Sequence, residues 1–379
     1  MTMKIFHSLV IMILIGCFEL SITESKKKLT TVFLSVVFRH GDRAPDMKDG
    51  ESYPTDPHKN HNFDPAGDGG LTNAGKKREY DLGVKLRHEY KDFLGDIYKP
   101  KMVMGRSTNY DRTKMSLMLV LCGLFPTKGK QKWNPHLNWQ PIPTKYFPAE
   151  RDILMAADLC PQYKKELKKV KRSEAIKREY EVFYDLMQNL SNWTGSKIKT
   201  SRDMFNLYHT LMAESSMNLL LPTWTNSIFP KGPLFNATIF DYRLRSYNVK
   251  LRKLYGGMLL RNIIDTMENI IASRITERKI NLFSGHETNV ASFLLTLGVY
   301  ESHVPEYSSG VIVELLKDEC DSYYVKVRHY LGIPSKIVDV KIEGCDVICP
   351  IKKFKHLLKH VIPSDDDMYC PHHKPMRGF

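Results

Sequence analysis

The stretch Thr30-Thr31-Val32-Phe33-Leu34-Ser35-Val36-Val37-Phe38-Arg39-His40-Gly41-Asp42-Arg43-Ala44-Pro45 decides the fold. Its first nine residues are mostly β-branched, aromatic or aliphatic, which is the composition of one strand buried on both faces. The run then breaks into charge, glycine and proline. In open α/β sheets, ligands sit beyond the carboxyl ends of the strands, so Arg39, His40 and Arg43 lie where a site belongs. A lone histidine after a strand is usually a satisfied structural residue, and His88, His209 and His329 read that way. His40 differs because two arginines flank it in a loop.

Outward from this stretch, residues 46–70 are rich in Asp, Pro and Gly and read as a long loop. Thr72 or Asn73 caps a helix running to about Tyr90. A short strand is expected over Lys101–Gly105, then a helix from about Tyr110 to Leu124. The Pro-rich segment 133–148 leads into charged, helical segments near 162–190 and 202–220, with no convincing strand between them. A helix reaches to about Arg274, followed by a strand over Ile280–Phe283 and a helix starting near Glu287. Strands over Val311–Leu316 and Tyr323–Tyr330 complete the pattern. The expectation is an α/β unit over 26–129 and 250–379, with a helical subdomain inserted over 130–249. Trp133, Trp139, Trp193 and Trp224 all fall in that insert and read as packing residues at the wall of a cleft.

Three strands thus end in chemically useful groups: Arg39, His40 and Arg43 after the first, Arg106 after the second, His286 and Glu287 after the third. If the strands are parallel neighbours, one cleft collects three arginines, two histidines and a carboxylate. Phosphoryl transfer needs such a set. Guanidinium forks match the equatorial phosphate oxygens. A neutral imidazole can attack phosphorus and split hydrolysis into two easier steps. A carboxylic acid can protonate the leaving alcohol and later activate water. This chemistry calls for no metal or cofactor. Gly41 is expected to admit backbone amides to the anion, and Pro45 to stiffen the loop.

The remaining signals concern compartment and charge. The chain has 379 residues, 42% hydrophobic and 26% charged, as ordinary folded proteins do. Lys4 followed by the uncharged run Leu9–Phe18 and small residues at Ser21, Thr23 and Ser25 reads as a secretory leader over 1–25. That run is too short to span a bilayer, and no later segment approaches the needed length. Of seven cysteines, Cys17 falls in the leader. Cys122, Cys160, Cys320, Cys345, Cys349 and Cys370 form an even set suited to disulfides in an exported protein. Their spacing alone leaves the pairing open, and it lacks the paired CxxC elements of a zinc site. Sequons begin at Asn189, Asn192 and Asn236. The formal charge of +14 becomes +15 without the leader, which carries one lysine and two glutamates. Such a field attracts anions. No nucleic-acid module is visible, and the lysines of 164–172 read as the solvated face of a helix.

Arg39-His40-Gly41-Asp42-Arg43-Ala44-Pro45 resembles the RHGxRxP motif of the histidine acid phosphatases. Its five fixed positions would arise by chance in about one such chain in ten thousand. Leu71-Thr72-Asn73-Ala74-Gly75, Asp111-Arg112-Thr113-Lys114-Met115-Ser116 and Ser284-Gly285-His286-Glu287 resemble further family segments in the expected order. The likeness covers essentially the whole chain after the leader. Lys253-Leu254-Tyr255-Gly256-Gly257 and the Cys345/Cys349 spacing place it in the prostatic-type branch, nearest insect venom and salivary acid phosphatases.

The resemblance implies a histidine-phosphatase, phosphoglycerate-mutase-like α/β domain with a smaller helical domain over the cleft. It implies His40 as nucleophile and Arg39, Arg43, Arg106 and His286 as the phosphate clamp. Glu287 falls where most relatives carry an aspartate proton donor. Family-like bridges would be Cys122–Cys370 and Cys345–Cys349, which leaves Cys160 with Cys320. The implied activity is a secreted, metal-free acid phosphatase acting on phosphomonoesters, with homodimers as in prostatic-type relatives. A second reading is a phosphatase-like salivary protein with impaired catalysis that binds biogenic amines or leukotrienes. It takes its motive from Glu287: a misplacement near 1 Å can cost about a hundredfold in rate.

Overall fold

A computed structural model describes residues 28–370; the leader expected over 1–25 lies outside them. One mixed sheet of eight strands organises the chain, in the order β3-β2-β4-β1-β5-β6-β7, with β8 also paired to β6. The strands are β1 (Thr30–Arg39), β2 (Val103–Ser107), β3 (Thr144–Tyr146), β4 (Ile280–Gly285), β5 (Gly310–Lys317), β6 (Tyr323–Tyr330), β7 (Ile337–Val340) and β8 (Ile348–Pro350). β1 and β2 both run parallel to β4, and β5 runs antiparallel to β1. The three strands that carry the site are therefore parallel neighbours.

β1 shows why its sequence is an almost unbroken apolar run. Leu34, Val36 and Phe38 point to one side of the sheet, into a core with Leu82, Leu86, Leu117 and Leu121. Phe33 and Val37 point to the other, into a larger core with Phe283, Phe293, Val311 and many helical residues. The first core is covered by α1 (Asn73–Glu89) and α2 (Asp111–Leu124). These two helices cross closely because Gly83 lies against Gly123 and Val120; a Cβ on Gly83 would sit 2.2 Å from the Val120 carbonyl oxygen. Thr72 caps α1, its hydroxyl accepting from Gly75 N.

The second core continues into the helices α3 (Pro161–Lys171), α4 (Glu174–Glu181), α5 (Tyr184–Thr194), α6 (Ser201–Ser216), α7 (Pro233–Arg245), α8 (Val249–Leu254), α9 (Gly256–Ile271) and α10 (Glu287–Leu297). A helix of eight residues, α11 (Ile351–Leu358), follows β8. The segment read as helical over 162–190 is three helices. Ser173 ends one and caps the next, its side chain accepting from Ile176 N. β2 starts two residues later than expected because Pro100 opens a 3-10 turn through Met102. Inside the Pro-rich segment, Thr144–Tyr146 add a short parallel strand to β2.

The cysteine pairing is corrected. Cys345 pairs with Cys349 as the resemblance implies, but Cys370 pairs with Cys160 and not with Cys122. The tail is held at the start of α3, where Gln162 Nε2 donates to the carbonyls of Asp367 (2.9 Å) and Tyr369 (2.7 Å). That places Cys370 beside Cys160. With Cys160 so used, no Cys160–Cys320 bridge forms; Cys122 on α2 and the exposed Cys320 are free thiols. Asn189, Asn192 and Asn236 are exposed on α5 and α7. Among the described residues, no helix is long and apolar enough to cross a membrane.

Candidate active site

Strand pairing builds the site directly. The backbone N–H of His40 donates to the Gly285 carbonyl at 2.9 Å, joining the end of β1 to the end of β4. His40 and His286 thereby stand side by side, ring centroids 5.5 Å apart and close to perpendicular. Glu287 opens α10 immediately after His286. One nitrogen or oxygen from each of His40, His286 and Glu287 lies within 4.8 Å of the others.

His40 is buried and its Nδ1 lies 2.8 Å from the Gly41 carbonyl. A carbonyl oxygen accepts and never donates, so Nδ1 carries the ring proton and Nε2 presents its lone pair. Burial, reinforced by Arg112, Arg39, His286 and Arg43, holds the pKa of His40 well below the ordinary imidazole range. The ring is neutral, with the lone pair of Nε2 free to act as a base or nucleophile. His286 is also neutral, pushed down to about 3 by burial and then by Arg112. Its Nε2 lies 3.0 Å from Thr108 Oγ1, and that hydroxyl is oriented by Thr113.

Each arginine is positioned by a partner that leaves part of its guanidinium unused. Arg39 Nη1 donates to the Pro305 carbonyl at 2.7 Å, and the guanidinium lies 3.8 Å over the Tyr307 ring. Arg43 makes a fork to Glu51. Arg112 Nη1 donates to Asp46 at 2.8 Å, and its guanidinium covers the Tyr110 ring, which itself lies 5.0 Å from that of His286. Arg39 Nη2, Arg43 Nε and Arg112 Nε remain buried without a partner. Stranded buried donors cost about 1–3 kcal/mol each, and all three of these arginines act on His40. Such donors beside a neutral imidazole could cradle an anion.

Arg106 also keeps a buried Nε without a partner. It sits in β2, but its Nη2 turns to Asp152 at 2.5 Å and its guanidinium stacks 4.3 Å from the Phe147 ring. Asp152 also accepts from the backbone of Leu154 and Met155, so this pair anchors the loop beyond β3. The strongest charge on both His40 and His286 is Arg112. The signal for Arg112 was present in Asp111-Arg112-Thr113, the first turn of a helix following a site-bearing strand. The supporting acids Asp46, Glu51 and Asp152 carried no such signal, because they come from loops whose paths the sequence pattern does not define.

Glu287 is buried, with Oε2 3.4 Å from Arg39 Nε. Burial pushes its pKa up, but His209, Arg39, His286 and His40 outweigh it and hold the carboxyl well below its ordinary value. Gly41 serves packing more than anion approach. A Cβ there would fall 2.4 Å from the Gly75 carbonyl oxygen, and its N–H faces Ser116 Oγ at 3.3 Å. Thr72 N donates to the Asp42 carbonyl at 2.9 Å, so the segment Leu71–Gly75 braces the loop that carries His40.

Residues 31–329 match the histidine phosphatase superfamily (branch 2). The chain belongs to that family, and its reaction class is phosphatase. Among similar proteins, a venom acid phosphatase of Apis mellifera is 48% identical over 338 residues, covering 89% of this chain and 87% of that one. The prostatic acid phosphatase of Homo sapiens is 32% identical over 348 residues, with coverage of 89% and 87%. Among solved structures, the apo form of Hafnia alvei phytase aligns with a TM-score of 0.63 at 17% identity, covering 90% of this chain and 99% of that one; this likeness concerns the fold.

Proposed function

We propose that the protein is a secreted acid phosphatase that hydrolyses phosphate monoesters through a phosphohistidine at His40. The observation that carries this reading is the set of buried, unpartnered nitrogens Arg39 Nη2, Arg43 Nε and Arg112 Nε around a neutral imidazole. In the first step the Nε2 lone pair attacks phosphorus, the ester P–O bond breaks, and Glu287 gives its proton to the leaving oxygen. In the second, ionised Glu287 takes a proton from water, whose oxygen displaces His40 and releases phosphate. The arginines offset the charge on the equatorial oxygens in both steps.

The held-down pKa of Glu287 sets the pH dependence. Its proton-donating form is populated only toward acid pH, so the first step slows as pH rises. Secretion is supported by the leader expected over 1–25 and by the similarity to a venom protein. An amine-binding role finds little support: Glu287 already faces Arg39, and Asp42 is held by Arg78 at 3.1 Å. The test is hydrolysis of a chromogenic phosphomonoester from about pH 4 to 8, with His40→Ala alongside. Turnover that peaks in acid and vanishes in the variant supports the reading; undiminished turnover by the variant removes it.

A further inference from the structure

Helix α6 carries an imidazole that the two steps above do not use. His209 is fully buried. Its ring packs against Phe205 at 4.4 Å between centroids, and Nε2 lies 3.1 Å from the Tyr242 hydroxyl on α7. Its Nδ1 is buried with no partner. Leaving such an atom unpaired is destabilising, which calls for an explanation in a native core.

A small cluster between α6, α7 and α10 points to one. Phe205, one turn before His209, shares a cluster with Tyr242 and with Ala291, one turn after Glu287. Residues four apart lie on one helix face, so His209 and Glu287 lie on the faces that carry Phe205 and Ala291 into that cluster. Met212, three residues after His209, lies 3.8 Å from Arg39 Nη1, and Arg39 Nε lies 3.4 Å from Glu287. His209 and Glu287 are close enough that each is the ionisable group acting most strongly on the other. Arg39, His40 and His286 also face Glu287, while Arg39, Arg43 and Arg202 act on His209. Burial keeps His209 neutral, at about 3.

We propose that His209 is a positioning residue for Glu287, completing a Tyr242–His209–Glu287 chain behind the site. The Tyr242 hydroxyl donates to Nε2, which leaves the ring proton on Nδ1. Nδ1–H then holds one carboxyl oxygen of Glu287, so that the other carries its proton toward the leaving group. This support takes up the extra methylene by which Glu287 exceeds an aspartate. The inference rests on the proposed role of Glu287 as proton donor.

The experiment compares His209→Gln with His209→Asn in the full chain. Gln keeps an amide near Nε2 and Tyr242, whereas Asn keeps an N–H near Nδ1. H209Q should lose about 10- to 100-fold in kcat while inorganic phosphate still inhibits at the wild-type concentration. Its alkaline limb of kcat/KM should move to higher pH, since a lost donor raises the pKa of Glu287. H209N should keep most of the turnover and the wild-type profile. Equal losses in both variants, or an unmoved pH limb in H209Q, would overturn the inference. Glu287→Asp gives a second measurement independent of any change at α6: its shorter carboxyl withdraws from Nδ1, so its alkaline limb should move upward too, and an unmoved limb counts against the proposal. If E287Q retains full turnover, it is the proton-donor reading that fails, before His209 enters.

Discussion

Arg43 grips Glu51 with both terminal nitrogens, Nη1 to Oε2 at 2.5 Å and Nη2 to Oε1 at 2.6 Å, and both side chains are buried. Glu51 also accepts from the Asp46 backbone at 3.0 Å, closing the loop that follows the histidine motif. The fork fixes where Arg43 Nε points. Glu51→Gln breaks it, and removing one partner of a buried pair costs about 3–5 kcal/mol of stability. The expected outcome is a lower urea midpoint together with an inhibition constant for inorganic phosphate raised about tenfold. A wild-type constant would show that Arg43 does not bind the anion.

Arg112 and Arg106 make a paired comparison. Arg112→Ala removes the cation that acts most strongly on both histidines, so kcat/KM should fall at least a hundredfold, about 2.7 kcal/mol of transition-state stabilisation. Arg106→Ala removes the ion pair to Asp152, so thermal unfolding should shift, and the loss in kcat/KM should be smaller than for Arg112→Ala. Steady-state kinetics on the two variants checks the assignment, and a reversed order refutes it.

Glu214 on α6 is fully buried against Asp56. Burial, and then the Asp56 charge, push its pKa up to about 8. Folding therefore takes up a proton between the ordinary carboxylate range near 4.3 and that value. The sign follows: the stabilisation is complete below the unfolded pKa and is lost as pH rises through about 8. Urea midpoints measured between about pH 5 and 8 should fall with pH in the wild type and flatten in Glu214→Gln.

The disulfides predict a chemical pattern. Cys160–Cys370 joins residues 210 apart in sequence, so Cys160→Ser should cost about 2–5 kcal/mol. A thiol reagent applied to the native protein should label the exposed Cys320 quickly, and Cys122, half-buried with its pKa raised by burial, slowly. Non-reducing peptide mapping that finds Cys122 linked to Cys370 would contradict the fold at the C-terminus.

Much of the architecture was legible because it is local. The apolar run of β1, the Thr72 cap and the strand-to-helix switch at Gly285–Glu287 each declare themselves within a few residues. The parallel order of β1, β2 and β4 then assembled Arg39, His40, Arg43, His286 and Glu287 without further information. What stayed hidden depends on long-range placement. β2 carries Arg106 just before its last residue, yet only the position of Asp152 shows where part of that guanidinium turns. Cys370 could be matched to Cys160 only once Gln162 was seen to hold the tail. His209 read as an ordinary core histidine because nothing in α6 marks which helix it meets.

The central claim is that His40 becomes phosphorylated. Acid-quenching the enzyme during turnover of a phosphomonoester, followed by mass spectrometry of the peptide that contains Arg39–Arg43, tests it most directly. The account predicts a phosphate adduct on His40 that forms within one turnover and is absent from His40→Ala, which should also be inactive. Turnover by the wild type with no adduct at any quench time, or an adduct on another residue, would contradict it.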